Sequence, residues 1–219
     1  MLRSRILTAL ILAPLVLSAV YLLPLSGYAA IFWLIGAAGA YEWAALAGHK
    51  GPLKRLGYVS VLACLAVALW YQPALCQPTL WAGSGFWVLA IAAVITYPRS
   101  GRIMDHRLIF MAAGLLVMLA AWMGLVVIRA TPNGANWVVW LLMLIWGADI
   151  GAYFAGRRFA RRKLAPQVSP GKTWEGVGGG ALVSLAITTG ILALMGTFAL
   201  WWLAVILVLV AVSVFGDLF

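Results

Sequence analysis

Only five of the 219 residues are acidic, so each can be judged singly. Asp149 stands where a charge is expensive. It follows Trp146-Gly147-Ala148 and precedes Ile150-Gly151-Ala152-Tyr153, inside an apolar stretch. Arg157 lies eight residues further on, and a helical rise of 1.5 Å per residue sets Asp149 roughly 12 Å below it. A charge near mid-membrane costs about 2.5–3.5 kcal/mol on insertion scales, and such residues usually face a wet cavity and do work there. The structural alternative is a salt bridge to a basic residue of another span. Asp149 and Tyr153 are four apart and share a helix face. Asp217, in Phe215-Gly216-Asp217, ends the last apolar run and approaches the same membrane face. Two carboxylates there suit Mg2+, a hard cation that prefers oxygen ligands and phosphate oxygens. Glu42 and Asp105 read as ordinary interfacial charges.

Residues 156–179 form the second chemical feature, read as a loop that binds substrate. Arg157, Arg158, Arg161, Arg162, Lys163 and Lys172 fall within sixteen positions. Ser169, Lys172 and Thr173 surround a Pro-Gly turn, and Gly176, Gly178, Gly179 and Gly180 follow. Small residues let backbone amides approach phosphates, and lysine supplies charge. Gly171-Lys172-Thr173 invites comparison with a P-loop, but that motif needs glycine where this chain has Pro166, and a strand before it. A different phosphate-binding loop is expected.

The elements that hold these residues follow from composition. Hydrophobic residues make up 65% of the chain and charged ones 9%, against roughly 25% charged in a soluble domain. That excludes a soluble globule and a disordered chain alike. The prediction is an all-α polytopic membrane protein of eight spans: 6–25, 28–47, 56–72, 79–97, 108–128, 136–155, 180–196 and 199–217. Together they form one membrane domain, 1–219. The first run follows Arg3 and Arg5 and is too long for a signal-peptide core, so it reads as a retained span. Pro14 and Pro24 fall within it or at its edge. Trp43, Trp70, Trp81, Trp137 and Trp201 sit near span ends, as interfacial anchors do. Gly147 and Gly151 present a bare face for close packing, either inside the chain or across a homodimer. Cys64 and Cys76 suggest no disulfide, and His49 and His106 stand alone in loops.

The net charge is +10. With the N-terminus in the cytoplasm, fourteen of the fifteen basic residues face that side, and only Arg129 does not. Topology and anionic headgroups account for this charge, and no nucleic-acid partner is expected.

The run from Gly147-Ala148-Asp149-Ile150-Gly151-Ala152-Tyr153 through Gly156-Arg157 to Lys163-Leu164-Ala165-Pro166, then Ser169-Pro170-Gly171-Lys172-Thr173-Trp174-Glu175-Gly176, resembles the phosphatidate cytidylyltransferases (CDP-diacylglycerol synthases). The resemblance is dense over about thirty residues. It implies transfer of the cytidylyl group of CTP to phosphatidate, releasing pyrophosphate, in a bacterial cytoplasmic (inner) membrane with the site facing the cytoplasm. It further implies Mg2+ on Asp149 and Asp217. Lys172, Ser169 and Thr173 would meet the CTP phosphates, with Arg157 and Lys163 nearby. Glu175, beside Gly176, would orient Lys172 or touch the nucleotide. The family's later signature has a Lys-Arg pair, a Lys-Asp pair, a His-Gly-Gly and a closing Asp-Arg-Asp. None of it occurs here, so the expectation is a truncated chain with an incomplete, inactive site. Two other readings stay open: a CTP-dependent polyprenol or phytol kinase, and a transporter or scaffold without chemistry.

Overall fold

A computed structural model describes residues 2–97 and 106–218, with side chains from Leu10 onward. The expectations for Arg99, Arg102 and Asp105, and for the side chains of Arg3 and Arg5, lie outside the described residues. Eight long helices appear among those described: α1 Leu2–Leu22, α2 Leu25–Leu46, α3 Pro52–Tyr71, α4 Cys76–Ile95, α5 Arg107–Ala130, α6 Gly134–Phe159, α7 Trp174–Leu194 and α8 Trp201–Gly216. Each coincides with one predicted span. A run of about twenty apolar residues in lipid must satisfy its backbone internally, and a helix does so without partners. With a short turn before α4 included, α2 to α7 are long and apolar enough to cross a membrane. Shorter apolar helical stretches are Leu10–Leu22 and Trp201–Gly216. Many large apolar side chains point outward, Leu22, Leu108 and Leu194 among them, as lipid-facing residues should.

Boundaries moved where local chemistry decided them. Pro24 does not extend the first span; it stands at the N-cap of α2, and its carbonyl accepts the Tyr28 amide at 2.9 Å. Proline suits that place because it has no amide to leave unpaired. Pro14 stays inside α1.

The chain divides into two compact units. The first comprises Met1–Leu89 and Gly101–Val138. Here α2 packs on α3 and α5, and indoles bridge the helices. Trp43 donates from Nε1 to the Phe110 carbonyl at 2.9 Å, and Trp122 donates to the Ala29 carbonyl at 2.9 Å. Trp43, expected as an interfacial anchor, also packs between helices. It fits because a Cβ at Gly114 would collide with its ring. Arg129 donates from Nε to the Val20 carbonyl at 2.9 Å, with its guanidinium 5.9 Å from the Tyr28 ring centroid.

The second unit comprises Ala90–Ser100 and Val139–Phe219. It contains most of α6, then β1 Lys163–Ala165, β2 Ser169–Thr173, α7 and α8. The strands pair antiparallel, Lys163 opposite Thr173 and Ala165 opposite Ser169, with an irregularity between. The span read as the loop 156–179 is therefore mostly ordered: the last turn of α6, a hairpin, and the first turns of α7. Gly176, Gly178, Gly179 and Gly180 belong to that helix rather than to a phosphate-cradling loop.

The glycines serve a seam between α6 and α7. A Cβ on Gly151 would strike the Gly179 carbonyl, and one on Gly180 would come within 2.7 Å of the Ala148 oxygen. The Gly147/Gly151 face thus packs inside the chain. Deeper along the seam, Ser184 donates from Oγ to the Leu144 carbonyl at 2.7 Å, and Trp140 donates to the Thr188 carbonyl at 3.3 Å. Small residues allow such backbone approach where lipid offers no hydrophobic drive between helices.

Candidate functional site

The end of α6 that carries its arginines, the hairpin and the end of α8 surround a cavity of about 410 Å3. Helix α6 contributes Ala148, Asp149, Ala152, Tyr153, Gly156 and Arg157. This is a stripe at spacings of three and four, one face of a helix. The hairpin contributes Gly171, Lys172 and Thr173, and α7 contributes Gly176, Val177 and Gly180. From α8 come Val210, Ser213 and Val214, and from its C-cap Asp217. Of the predicted site residues, Asp149, Arg157, Lys172, Thr173, Gly176 and Asp217 line this one cavity.

The approach of α7 to the cavity is fixed by its cap. Thr173 is in an extended conformation, and its Oγ1 accepts the Gly176 amide at 3.1 Å. The cap residue is only 5% exposed. A capped helix of 21 residues thus begins beside the cavity. The positive end of its dipole favours an anion there. The Gly176 amide is spent on the cap and the Trp174 amide on the Arg162 carbonyl at 3.0 Å, so the dipole rather than free amides carries that preference.

Opposite charges converge. Lys172 Nζ and Asp217 Oδ2 form an ion pair at 2.6 Å, the lysine 28% and the aspartate 54% exposed at their side chains. Asp149 is exposed to the cavity and lies within electrostatic reach of both. It makes no hydrogen bond or ion pair with a described residue. Salt bridging to another span, the structural alternative for Asp149, is not seen among the described residues. Arg157 donates from Nη1 to the Tyr153 hydroxyl at 3.0 Å.

Three predicted residues stand apart from the cavity lining. Lys163 donates from Nζ to the Pro170 carbonyl at 2.7 Å, across the hairpin. Ser169 sits opposite Ala165 at the far end of the ladder. Glu175 accepts the Arg162 backbone amide on both carboxylate oxygens, at 3.2 Å each, and so ties α7 to the base of the hairpin. Two polar side chains of the cavity were given no site role from sequence: Tyr153, noted only as sharing a face with Asp149, and Ser213. Each lies four residues from a singled-out aspartate, and that spacing is the signal that finds them.

With only the carboxylates of Asp149 and Asp217 facing it, the cavity holds no group of three His, Cys, Asp or Glu among the described residues. That donor set is poor for zinc, which wants four close nitrogen or sulfur ligands. It fits Mg2+, which takes one or two carboxylates and fills its remaining positions with water and phosphate oxygens.

The sequence profile of the cytidylyltransferase family matches residues 3–219. Among curated proteins, the chain is similar to a phosphatidate cytidylyltransferase of Pseudomonas aeruginosa, 43% identical over 180 residues, which covers 82% of this chain and 66% of that protein. It is 33% identical over 207 residues to the phosphatidate cytidylyltransferase of Haemophilus influenzae, covering 85% and 71%. The enzyme of the same name from Brucella suis is 32% identical over 222 residues, covering 99% and 77%. The chain thus spans about two thirds to three quarters of the length of these relatives.

Proposed function

Since the chain belongs to the cytidylyltransferase family, we propose that it houses the CTP-handling part of a phosphatidate cytidylyltransferase, which makes CDP-diacylglycerol and pyrophosphate for phospholipid synthesis. The observation that carries this reading is the single cavity shared by Asp149, Arg157, Lys172 and Asp217. One substrate is a soluble polyanion and the other a lipid. Cations and the positive end of a helix dipole meet the first need. Val177, Val210 and Val214, which line the same cavity, meet the second.

The reaction joins a phosphatidate oxygen to the α-phosphorus of CTP as the bond to the β-phosphate breaks and pyrophosphate leaves. Phosphatidate arrives deprotonated, so no strong general base is required. Lys172 exchanges the Asp217 carboxylate for a phosphate oxygen when CTP enters. Arg157 and the dipole of α7 hold the polyanion in line and offset the charge that develops on it. Ser169, Lys163 and Glu175 act at one remove, by setting the hairpin that carries Lys172. Mg2+ held by Asp149 and Asp217 would supply charge neutralisation at the phosphates. The protein sits in a bacterial cytoplasmic membrane with this cavity open to the cytoplasm, a reading supported by the fourteen basic residues that alternate helices assign to one side.

The test uses CTP labelled at one phosphate, given to the full-length enzyme in phosphatidate-containing vesicles. Label from the α-phosphate should enter lipid and label from the γ-phosphate should not. Entry of γ-label would make the protein a lipid-alcohol kinase instead. Asp149→Asn should lower α-label transfer at least ~100-fold without lowering thermal stability. Full activity in that variant would remove the metal assignment.

A further inference from the structure

Two adjacent arginines end α6 and behave differently. Arg158 lies against Phe159, 5.8 Å from the ring centroid, and does not line the cavity. Arg157 does line it. An arginine at the end of a spanning helix ordinarily extends its head away from the membrane, towards water and lipid headgroups. Arg157 is drawn one turn back, because its Nη1 donates to the Tyr153 hydroxyl at 3.0 Å. The Tyr153 ring is itself set edge-on to Phe154, with centroids 5.4 Å apart. Asp149, Tyr153 and Arg157 follow at intervals of four, so the phenol stands between the carboxylate and the guanidinium on one wall of the cavity.

We propose that Tyr153 is a positioning residue, whose hydroxyl holds Arg157 over the cavity so that the guanidinium meets a phosphate oxygen of the substrate. The bond occupies one of the five guanidinium donors and leaves the planar fork free for paired contact with phosphate. Prior fixation matters because an arginine that must first leave the headgroups loses rotamer freedom at the moment of binding. This inference rests on the proposed reaction and adds to it a residue that acts through another.

Tyr153→Phe keeps the ring and removes only the hydroxyl. Two titrations follow α-phosphate label into lipid, one varying CTP and one varying phosphatidate, each with the other substrate saturating. The variant should raise the KM of at least one substrate about 5- to 20-fold and leave kcat within about twofold. A rise confined to CTP assigns Arg157 to the nucleotide phosphates, and a rise confined to phosphatidate assigns it to the lipid phosphate. Arg157→Ala should raise the same KM, and adding Tyr153→Phe to it should change nothing further. Unchanged KM in both titrations would overturn the proposal, as would effects that multiply in the double variant. If the wild-type enzyme binds CTP but passes no α-label to lipid, the reaction reading has failed separately. The same double-variant comparison then reads from CTP affinity, and an affinity unmoved by Tyr153→Phe sinks the positioning role.

Discussion

Replacing Lys172 with alanine separates two roles that its ammonium can fill. In the structure it pairs with Asp217 at 2.6 Å, at 28% and 54% side-chain exposure. A pair this open to solvent contributes about 0–1 kcal/mol to stability. The corresponding loss in Tm is within about 4 °C for a chain of this size. The lysine also lines the cavity beside the N-terminus of α7. If it meets a phosphate of CTP, the variant loses a charge-assisted contact worth about 1.5–3 kcal/mol, which is about 10- to 150-fold in KM for CTP. KM for phosphatidate should move much less. The assay is thermal unfolding in detergent together with CTP titration of labelled-lipid formation. A Tm lowered by about 8 °C or more with an unchanged KM for CTP would refute the reasoning, because Lys172 would then be a structural partner of Asp217. A useful companion is Asp217→Asn, which frees the lysine. It should lower kcat while KM for CTP holds or falls.

Two further substitutions test the frame. Gly151→Ala puts a methyl group into the Gly179 carbonyl and should destabilise by about 1–3 kcal/mol, whereas Gly178→Ala, with nothing within 4 Å, should hold or raise the Tm. Equal Tm changes in the two would mean that the seam is looser than described. Thr173→Ala removes the cap of α7 and should cost about 1 kcal/mol, while Thr173→Ser should retain most of it. If the serine variant is as unstable as the alanine variant, capping is not what Thr173 does.

The eight helices were legible because a span announces itself as about twenty apolar residues between basic flanks. Direction was legible too. Counting alternate helices sends the ends of α6 and α8 to one side, and this is why Asp149 and Asp217 could be paired before any geometry was known. The hairpin was not legible. Lys163-Leu164-Ala165 is too short to show alternation, and Ser169-Pro170-Gly171 reads as a turn, although β2 runs through it. Within a basic stretch, spacing does not reveal register. Ser169 was therefore grouped with Lys172 on the phosphates, Lys163 placed nearby, and Glu175 left between orienting Lys172 and touching the nucleotide, yet their contacts are with the hairpin and its base. Glycines misled for a related reason. Close backbone approach suits a phosphate and a neighbouring helix equally well, and Gly179 and Gly180 serve the helix. Trp43 matched the position of an interfacial anchor, and its packing role shows only in the space left at Gly114 and the bond to Phe110.

The seam of glycines has a consequence for precision. Gly151, Gly179 and Gly180 have no side-chain torsions, so the contact between α6 and α7 freezes none and averages over none. Its spacing is set by van der Waals contact between main chains, which is far stiffer than a layer of leucines that can exchange rotamers. Asp149 rides on one of these backbones, and the capped first turn of α7 on the other. A carboxylate and the helix start that carries the Lys172 hairpin are thereby spaced by a part with no adjustable joints. Tuning the distance between them would require changing the chain path rather than a side chain.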